Sequence, residues 1–193
     1  MNKTIDYYNN NAKDYFDFTV NVDMSDHYGK FLKYLPDNTY ILDVGCGSGR
    51  DSKYFKSQGY KVKAIDGSEK LCELASEYLG EEVENRRFID IDYVDLFDGI
   101  WANASLLHSD RNVIASVIEK LRNALKENGI IFASFKYGDS DRVQGERYYN
   151  DQNDESLKEL FRDFEIKELW KSDDRIPGRD DRWINIIACK TKK

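Results

Sequence analysis

Proline is nearly absent from this 193-residue chain: Pro36 and Pro177 are its only two. No proline- or serine-rich linker, internal repeat or low-complexity tract divides it. One domain spanning residues 1–193 is therefore expected, long enough to bury a sizeable core. Cysteine is scarce, odd in number and scattered, at Cys46, Cys72 and Cys189. That excludes a disulfide framework and suits a reducing compartment. Histidine occurs only at His27 and His108, so a zinc site has almost no ligands to draw on and no metal is expected. No apolar run approaches the ~20 residues of a membrane helix, and the Met1 end is polar, without a secretory segment. No membrane association and a cytoplasmic location are the expectation. The net charge of −7 lacks the basic balance of a chain that tracks phosphates, which disfavours nucleic acid as a partner.

What the chain does have is alternation of strand-like and helix-like segments. Residues 7–35 read as two helices rich in aromatics. Residues 39–44 (TYILDV) read as a buried strand, 49–58 as a helix, and 61–65 (KVKAI) as a second strand. Ser68 is placed to cap the next helix. Short strands are expected near 86–89 and 97–102, then a helix over 111–126 closed by Gly129, then a strand over 130–136. A polar segment runs to about 153, followed by a helix near 154–162 and strands at 164–170 and 182–190. Alternation of this kind means an α/β fold: seven strands, mostly parallel, with helices on both faces. The last two strands are joined by a loop too short for a crossover helix, so they should pair antiparallel.

The first strand ends in Asp43 and runs into Gly45, Gly47 and Gly49. In an open parallel sheet, ligands bind beyond the carboxyl ends of the strands. Glycine there permits positive φ and close backbone approach. The second strand ends in Asp66, where an acid can accept both ribose hydroxyls. A nucleoside is the natural occupant, although Asp66 is also placed to cap the following helix. The spacing is G-x-G-x-G, one residue short of the dinucleotide fingerprint, and no Gly-Lys-Ser/Thr phosphate loop is present.

Four stretches, "ILDVGCGSG" (41–49), "AIDGS" (64–68), "FDGIWANASLLH" (97–108) and "LKENGIIFASFKYG" (125–138), occur in order. With them the chain resembles the class I S-adenosylmethionine-dependent methyltransferases, a Rossmann-like family. "GRDSKYF", "ASLLH" and "FASFKYG" look closest to a small bacterial subgroup similar to tellurite-resistance-type methyltransferases. The resemblance implies S-adenosylmethionine as cofactor, an N-terminal helical lid at 1–36 and a core at 37–193. Gly45 and Gly47 would pass beneath the methionine part, Asp43 would help hold its ammonium directly or through water, and Tyr8 or Tyr15 would touch it from the lid, core packing being the other reading of these tyrosines. Asp66, with Gly67 beside it, would accept the ribose hydroxyls, and Phe88 would lie near adenine. Many relatives place an acid by the adenine amino group, where this chain has Arg86, Arg87 and Asp90. Ala102 and Asn103 would flank the sulfonium.

His108, just past the fourth strand, is the candidate general base; packing at the start of a helix is its other reading. Two segments face the acceptor: "GERYYN" (145–150), with Arg147 and Tyr148, and "SDDRIPGRDDRW" (172–183), with Arg175 and Arg179. These arginines are suited to an anionic acceptor. Alternatively Asp173, Asp174, Asp180 and Asp181 neutralise the second loop internally. The expected function is methyl transfer to a small-molecule acceptor. Methylation of tRNA or a protein side chain, or non-catalytic binding of S-adenosylmethionine, are the alternatives. The sequence leaves the oligomeric state open.

Overall fold

The structure, a computed structural model, describes residues 3–176 and 178–192. The ends of the expected domain, at 1 and 193, and Pro177 lie outside the described residues. Seven strands form one sheet: β1 (Tyr40–Val44), β2 (Lys61–Asp66), β3 (Glu84–Asn85), β4 (Phe97–Ala102), β5 (Leu125–Lys136), β8 (Glu165–Asp173) and β9 (Arg182–Cys189). Their order is β3-β2-β1-β4-β5-β9-β8. Only β9 runs against the rest, pairing antiparallel with β5 on one side and β8 on the other. This is the expected Rossmann-like sheet with its antiparallel last strand.

β1 is buried on both faces because it lies between β2 and β4 and helices cover each side. Side chains alternate between two cores. Leu42, Val44, Ile100 and Ala102 face α6 (Ile114–Ala124) and α7 (Asp154–Leu160). Ile41, Trp101 and Phe132 face the other way, toward Phe31 of α3 (Ser25–Leu32) and Phe55 of α4 (Arg50–Ser57). Trp101 and Phe132 stack with centroids 4.1 Å apart; truncating a buried ring of this kind to alanine costs about 3–5 kcal/mol. Ser68 caps α5 (Glu69–Leu79) as expected, its hydroxyl accepting from Leu71 N at 3.2 Å. Among the described residues no helix is long and apolar enough to cross a membrane, and no group of three His, Cys, Asp or Glu is placed to hold a metal.

Several expectations need correction. The N-terminal region holds three helices, not two: α1 (Lys3–Asn10), α2 (Ala12–Thr19) and α3. The first two lie at the sheet's ligand edge, and α3 packs Tyr28 and Phe31 into the core while His27 reaches the larger cavity. The third strand ends at Asn85, and Phe88 sits in the one-turn helix Phe88–Asp90 that follows it. Gly129 does not close α6; Leu125 turns straight into β5 and pairs with Phe97. The polar segment before residue 153 contains a hairpin, β6 (Asp141–Gln144) and β7 (Arg147–Asn150), joined by a two-residue turn in which Gly145 has φ 62°. Most of that hairpin is solvent-facing, so it carries no apolar stripe that periodicity can detect.

Candidate active site

The glycine turn is fixed from below by the neighbouring strand: the amides of Gly45 and Cys46 both donate to the Ile65 carbonyl, at 2.9 and 3.0 Å. Gly45 has φ 73°, and a Cβ there would lie 2.5 Å from Ser105 Cβ. Gly47 has φ 55°, and a Cβ there would lie 3.1 Å from the Tyr15 ring. The turn is thus pressed between the chain leaving β4 and the second N-terminal helix. Gly49 has another role, letting the start of α4 pack on Ala75 and Leu79.

Asp66 stands where β2 ends. Its Oδ2 accepts from Gly47 N at 2.9 Å and its Oδ1 from Ser68 N at 2.8 Å. Burial pushes its carboxyl up from the usual range, and these backbone donors pull the other way. Each oxygen retains a lone pair, since an ionised carboxylate offers about four acceptor positions. Asp66, Gly67, Phe88 and Ser105 line a cavity of about 240 Å³.

A second cavity of about 430 Å³ lies beside it, under α1 and α2. The two share Tyr8, Tyr15, Gly45, Ala104 and His108. Ala104 has φ 52° and is held there by its amide donating to Ser134 Oγ at 2.7 Å. Backbone strain in a non-glycine residue at such a junction is a mark of sites that position ligands.

Of the two acids that flank the glycine turn, Asp51 and not Asp43 lies on the wall of the larger cavity. Asp51 accepts from Tyr28 Oη (2.5 Å), Arg50 Nε (2.6 Å), Trp101 Nε1 (2.8 Å) and Asn103 Nδ2 (3.3 Å). Burial opposes its charge, but the Arg50 guanidinium and these donors outweigh it and hold the carboxyl below its usual range. Asp43 is only 1% exposed, takes the Ser52 hydroxyl at 2.6 Å, and lines neither cavity. Burial, and then the neighbouring Asp51 charge, push it up to about 8. A hidden carboxyl that is largely protonated near neutral pH is a poor holder of an ammonium. Ala102 is likewise buried and off the cavity walls; Asn103 and Ala104 take that place. The signal for Asp51 was present in the sequence, as an acid in the first helical turn directly after the glycines.

His108 lies at the junction. Its Nδ1 is 2.7 Å from the Tyr148 carbonyl, which can only accept, so Nδ1 carries the proton; Nε2 then accepts from the Tyr8 hydroxyl at 2.8 Å. Burial, and after it the nearby Arg147 and Lys136 charges, lower the imidazole to about 4 although the Tyr148 bond opposes this. Tyr15 is raised by burial to about 12 and stays neutral. Tyr148 contributes that carbonyl only; its side chain points away from the cavities and receives Arg111 N at 3.1 Å. Tyr149, one residue on, lines the larger cavity together with Arg147 and, from the loop after β8, Arg179. Because side chains alternate along a strand, Arg147 and Tyr149 share a face that Tyr148 cannot.

The sheet order, the glycine turn and the acid closing β2 define a Rossmann-like nucleoside-binding domain. Residues 41–129 match the model of a methyltransferase domain family. An uncharacterized methyltransferase of Staphylococcus carnosus is 24% identical over 154 residues, covering 75% of this chain and 74% of that one. Against several other curated relatives the chain spans less than half of their length. Two solved structures share the fold. One is a Burkholderia thailandensis 1,6-didemethyltoxoflavin-N1-methyltransferase with bound 1,6-didemethyltoxoflavin and S-adenosylhomocysteine (TM-score 0.80, 22% identity, 98% of this chain and 88% of that one). The other is TehB of Haemophilus influenzae (TM-score 0.73, 18% identity, 93% and 67%). The chain is thus similar to S-adenosylmethionine-dependent methyltransferases: residues 41–129 match a methyltransferase domain family, and the fold is that of solved methyltransferases. Its own residues suit that cofactor: a backbone turn that a Cβ would obstruct, and an acid with free lone pairs on the wall of the smaller cavity.

Proposed function

We propose that this chain transfers a methyl group from S-adenosylmethionine to a small-molecule acceptor seated in the larger cavity. The observation that carries the reading is the junction: two cavities meet at Tyr8, Tyr15, Gly45, Ala104 and His108, under helices that narrow the approach. When bound, the cofactor supplies a methyl group already activated on a sulfonium. The chain's task is to hold and orient. Asp66, Gly67 and Phe88 would hold the nucleoside. Gly45, Gly47, Tyr15 and Asn103 would line the methionine part, with Asp51 as a fixed negative charge facing its cations. Orientation alone is worth roughly 7–11 kcal/mol, and α1 and α2 serve it as a lid. His108 is a weak base with both nitrogens engaged. It acts by fixing the Tyr8 hydroxyl at the junction, and an acceptor proton reaches the imidazole only through that hydroxyl. The bound small molecule in the Burkholderia thailandensis structure supports an acceptor of this size.

The test is to incubate the protein with methyl-labelled S-adenosylmethionine and a bacterial extract, then separate filtrate from macromolecules. Label in the filtrate is expected. Label in protein or tRNA would overturn the acceptor class, and S-adenosylhomocysteine binding without label anywhere would favour a non-catalytic module.

A further inference from the structure

The cations lining the larger cavity are not equally compensated. Arg50 is paired with Asp51, Arg175 with Asp26 at 2.7 Å, and Lys136 with Asp181. Of the other acids on this wall, Asp174 accepts from Trp183 Nε1 and Ile176 N, Asp173 faces solvent 4.0 Å from Arg182, and Asp14, on α2, pairs with neither Arg147 nor Arg179 among the described residues. Arg147 and Arg179 remain. Among the described residues, neither has a carboxylate within 4.0 Å.

Arg147 is the more enclosed of the two. Its guanidinium carbon lies 4.7 Å from the Tyr7 ring centre and 5.5 Å from that of Tyr149. Its Nε is buried without a hydrogen-bond partner. Its polar neighbour Tyr8 is a phenol that burial keeps neutral. Arg179 lies over the Phe18 ring at 5.0 Å. Two guanidinium groups therefore face one cavity walled by Tyr7, Phe18, Tyr149 and Trp183. A half-buried guanidinium without a counter-charge is desolvated without return, and a ligand oxyanion meets its planar fork with two parallel hydrogen bonds. The ring walls suit a flat, apolar body.

We infer that the acceptor is a small organic anion built on a flat ring, its anionic group held by Arg147 and Arg179 and its ring lying against Tyr149 and Trp183. This rests on the methyl-transfer reading of the same site. It deepens that reading, because an anion is drawn toward the cationic cofactor and approaches with its charge already matched.

The experiment is calorimetry in two stages. First, wild type and Arg147→Met are titrated with S-adenosylhomocysteine. Second, each saturated complex is titrated with 4-hydroxybenzoate, 2-aminobenzoate and nicotinate, each beside its neutral carboxamide. We expect wild type to prefer at least one acid over its amide by tenfold or more. Arg147→Met should lose that preference while binding S-adenosylhomocysteine within threefold of wild type, and Arg147→Lys should restore part of it. If wild type fails to bind S-adenosylhomocysteine, the transfer reading itself falls. If it binds but acids and amides are equal, or no acid binds, the anion inference alone falls. It falls too if Arg147→Met weakens S-adenosylhomocysteine tenfold or more, since Arg147 would then be holding the cofactor's carboxylate.

Discussion

The floor of the smaller cavity, its glycine turn and closing acid, comes from nearby sequence. Gly45, Gly47, Asp66 and Gly67 lie within a β-α-β unit, and their contacts run across two adjacent parallel strands. The wall of the larger cavity is gathered from remote segments. Tyr8 meets His108 and Arg175 pairs with Asp26, across separations of 100 and 149 residues. The first wall is backbone held rigid by steric exclusion. The second is side chains assembled by the packing of α1, α2, the β6–β7 hairpin and the loop after β8. A family can keep the first constant for one cofactor while the second varies for different acceptors.

Two glycine substitutions test this most strongly. Gly45→Ala must hold φ near 73° and place a Cβ 2.5 Å from Ser105 Cβ. The left-handed conformation costs about 1–2 kcal/mol and overpacking about 1–3 kcal/mol more. Chemical denaturation should show a loss of about 2–5 kcal/mol by these terms, and calorimetry should show no S-adenosylhomocysteine binding. Gly145→Ala, in the hairpin turn with φ 62°, meets nothing within 4 Å; only the conformational cost of about 1–2 kcal/mol remains. Equal costs at the two glycines would remove the contrast between a pressed turn and an open one.

The same contrast explains what the sequence revealed. The sheet, its antiparallel last strand, the Ser68 cap, the glycine turn and the position of Asp66 at the end of β2 were all legible, because each rests on local periodicity or on spacing within one β-α-β unit. The choice of Asp51 over Asp43 was not, although both flank the glycines. Asp43 faces inward at the end of a strand buried on both faces, and a sequence does not show which carboxylate receives the donors of Tyr28, Trp101 and Asn103. The hairpin escaped for lack of an apolar face, and with it the exchange of Tyr148 for Tyr149. The loop arginines were visible as residues, but which acids they meet depends on Asp26 and Lys136, far away in the chain.

Acidity should separate the two walls next. His27 and His108, which line the larger cavity, are both lowered to about 4, first by burial; in an unfolded chain histidine titrates near ~6.5. Between these values the unfolded chain binds a proton that the folded one refuses. Stability from each histidine is therefore complete above pH ~6.5 and lost as pH falls toward ~4, by up to about 3 kcal/mol each. Asp43, behind the glycine turn, behaves oppositely. It is raised to about 8 from an unfolded value of ~3.9, so its contribution is present at low pH and lost as pH rises through that window. Urea midpoints followed from pH 4 to pH 9 should show His27→Leu flattening the acid limb and Asp43→Asn the alkaline limb. Both variants altering the same limb would mean that one of these environments is misassigned.

The smallest expected effect falls on Tyr148. It stands between Arg147 and Tyr149 on β7, and the pleat turns its side chain out of the cavity they line. Its hydroxyl receives one bond, from Arg111 N at 3.1 Å, at a surface where water can replace it. Removing such a bond costs about 0.5–1.5 kcal/mol, and the lower end applies where the donor is resolvated. The atom of Tyr148 that matters to the site is its carbonyl, which holds His108 Nδ1 and survives any side-chain change. Tyr148→Phe should thus shift the urea midpoint only slightly and leave the binding of S-adenosylhomocysteine and of aromatic acids unchanged. Tyr149→Leu removes the ring over which Lys136, Arg142 and Arg147 lie; it should weaken the acids by about tenfold, the loss of roughly 1.4 kcal/mol expected when a stacked ring wall is removed. If Tyr148→Phe proved as damaging to ligand binding as Tyr149→Leu, the hairpin register would be wrong by one residue. Every assignment on its inner face would then pass to its neighbour.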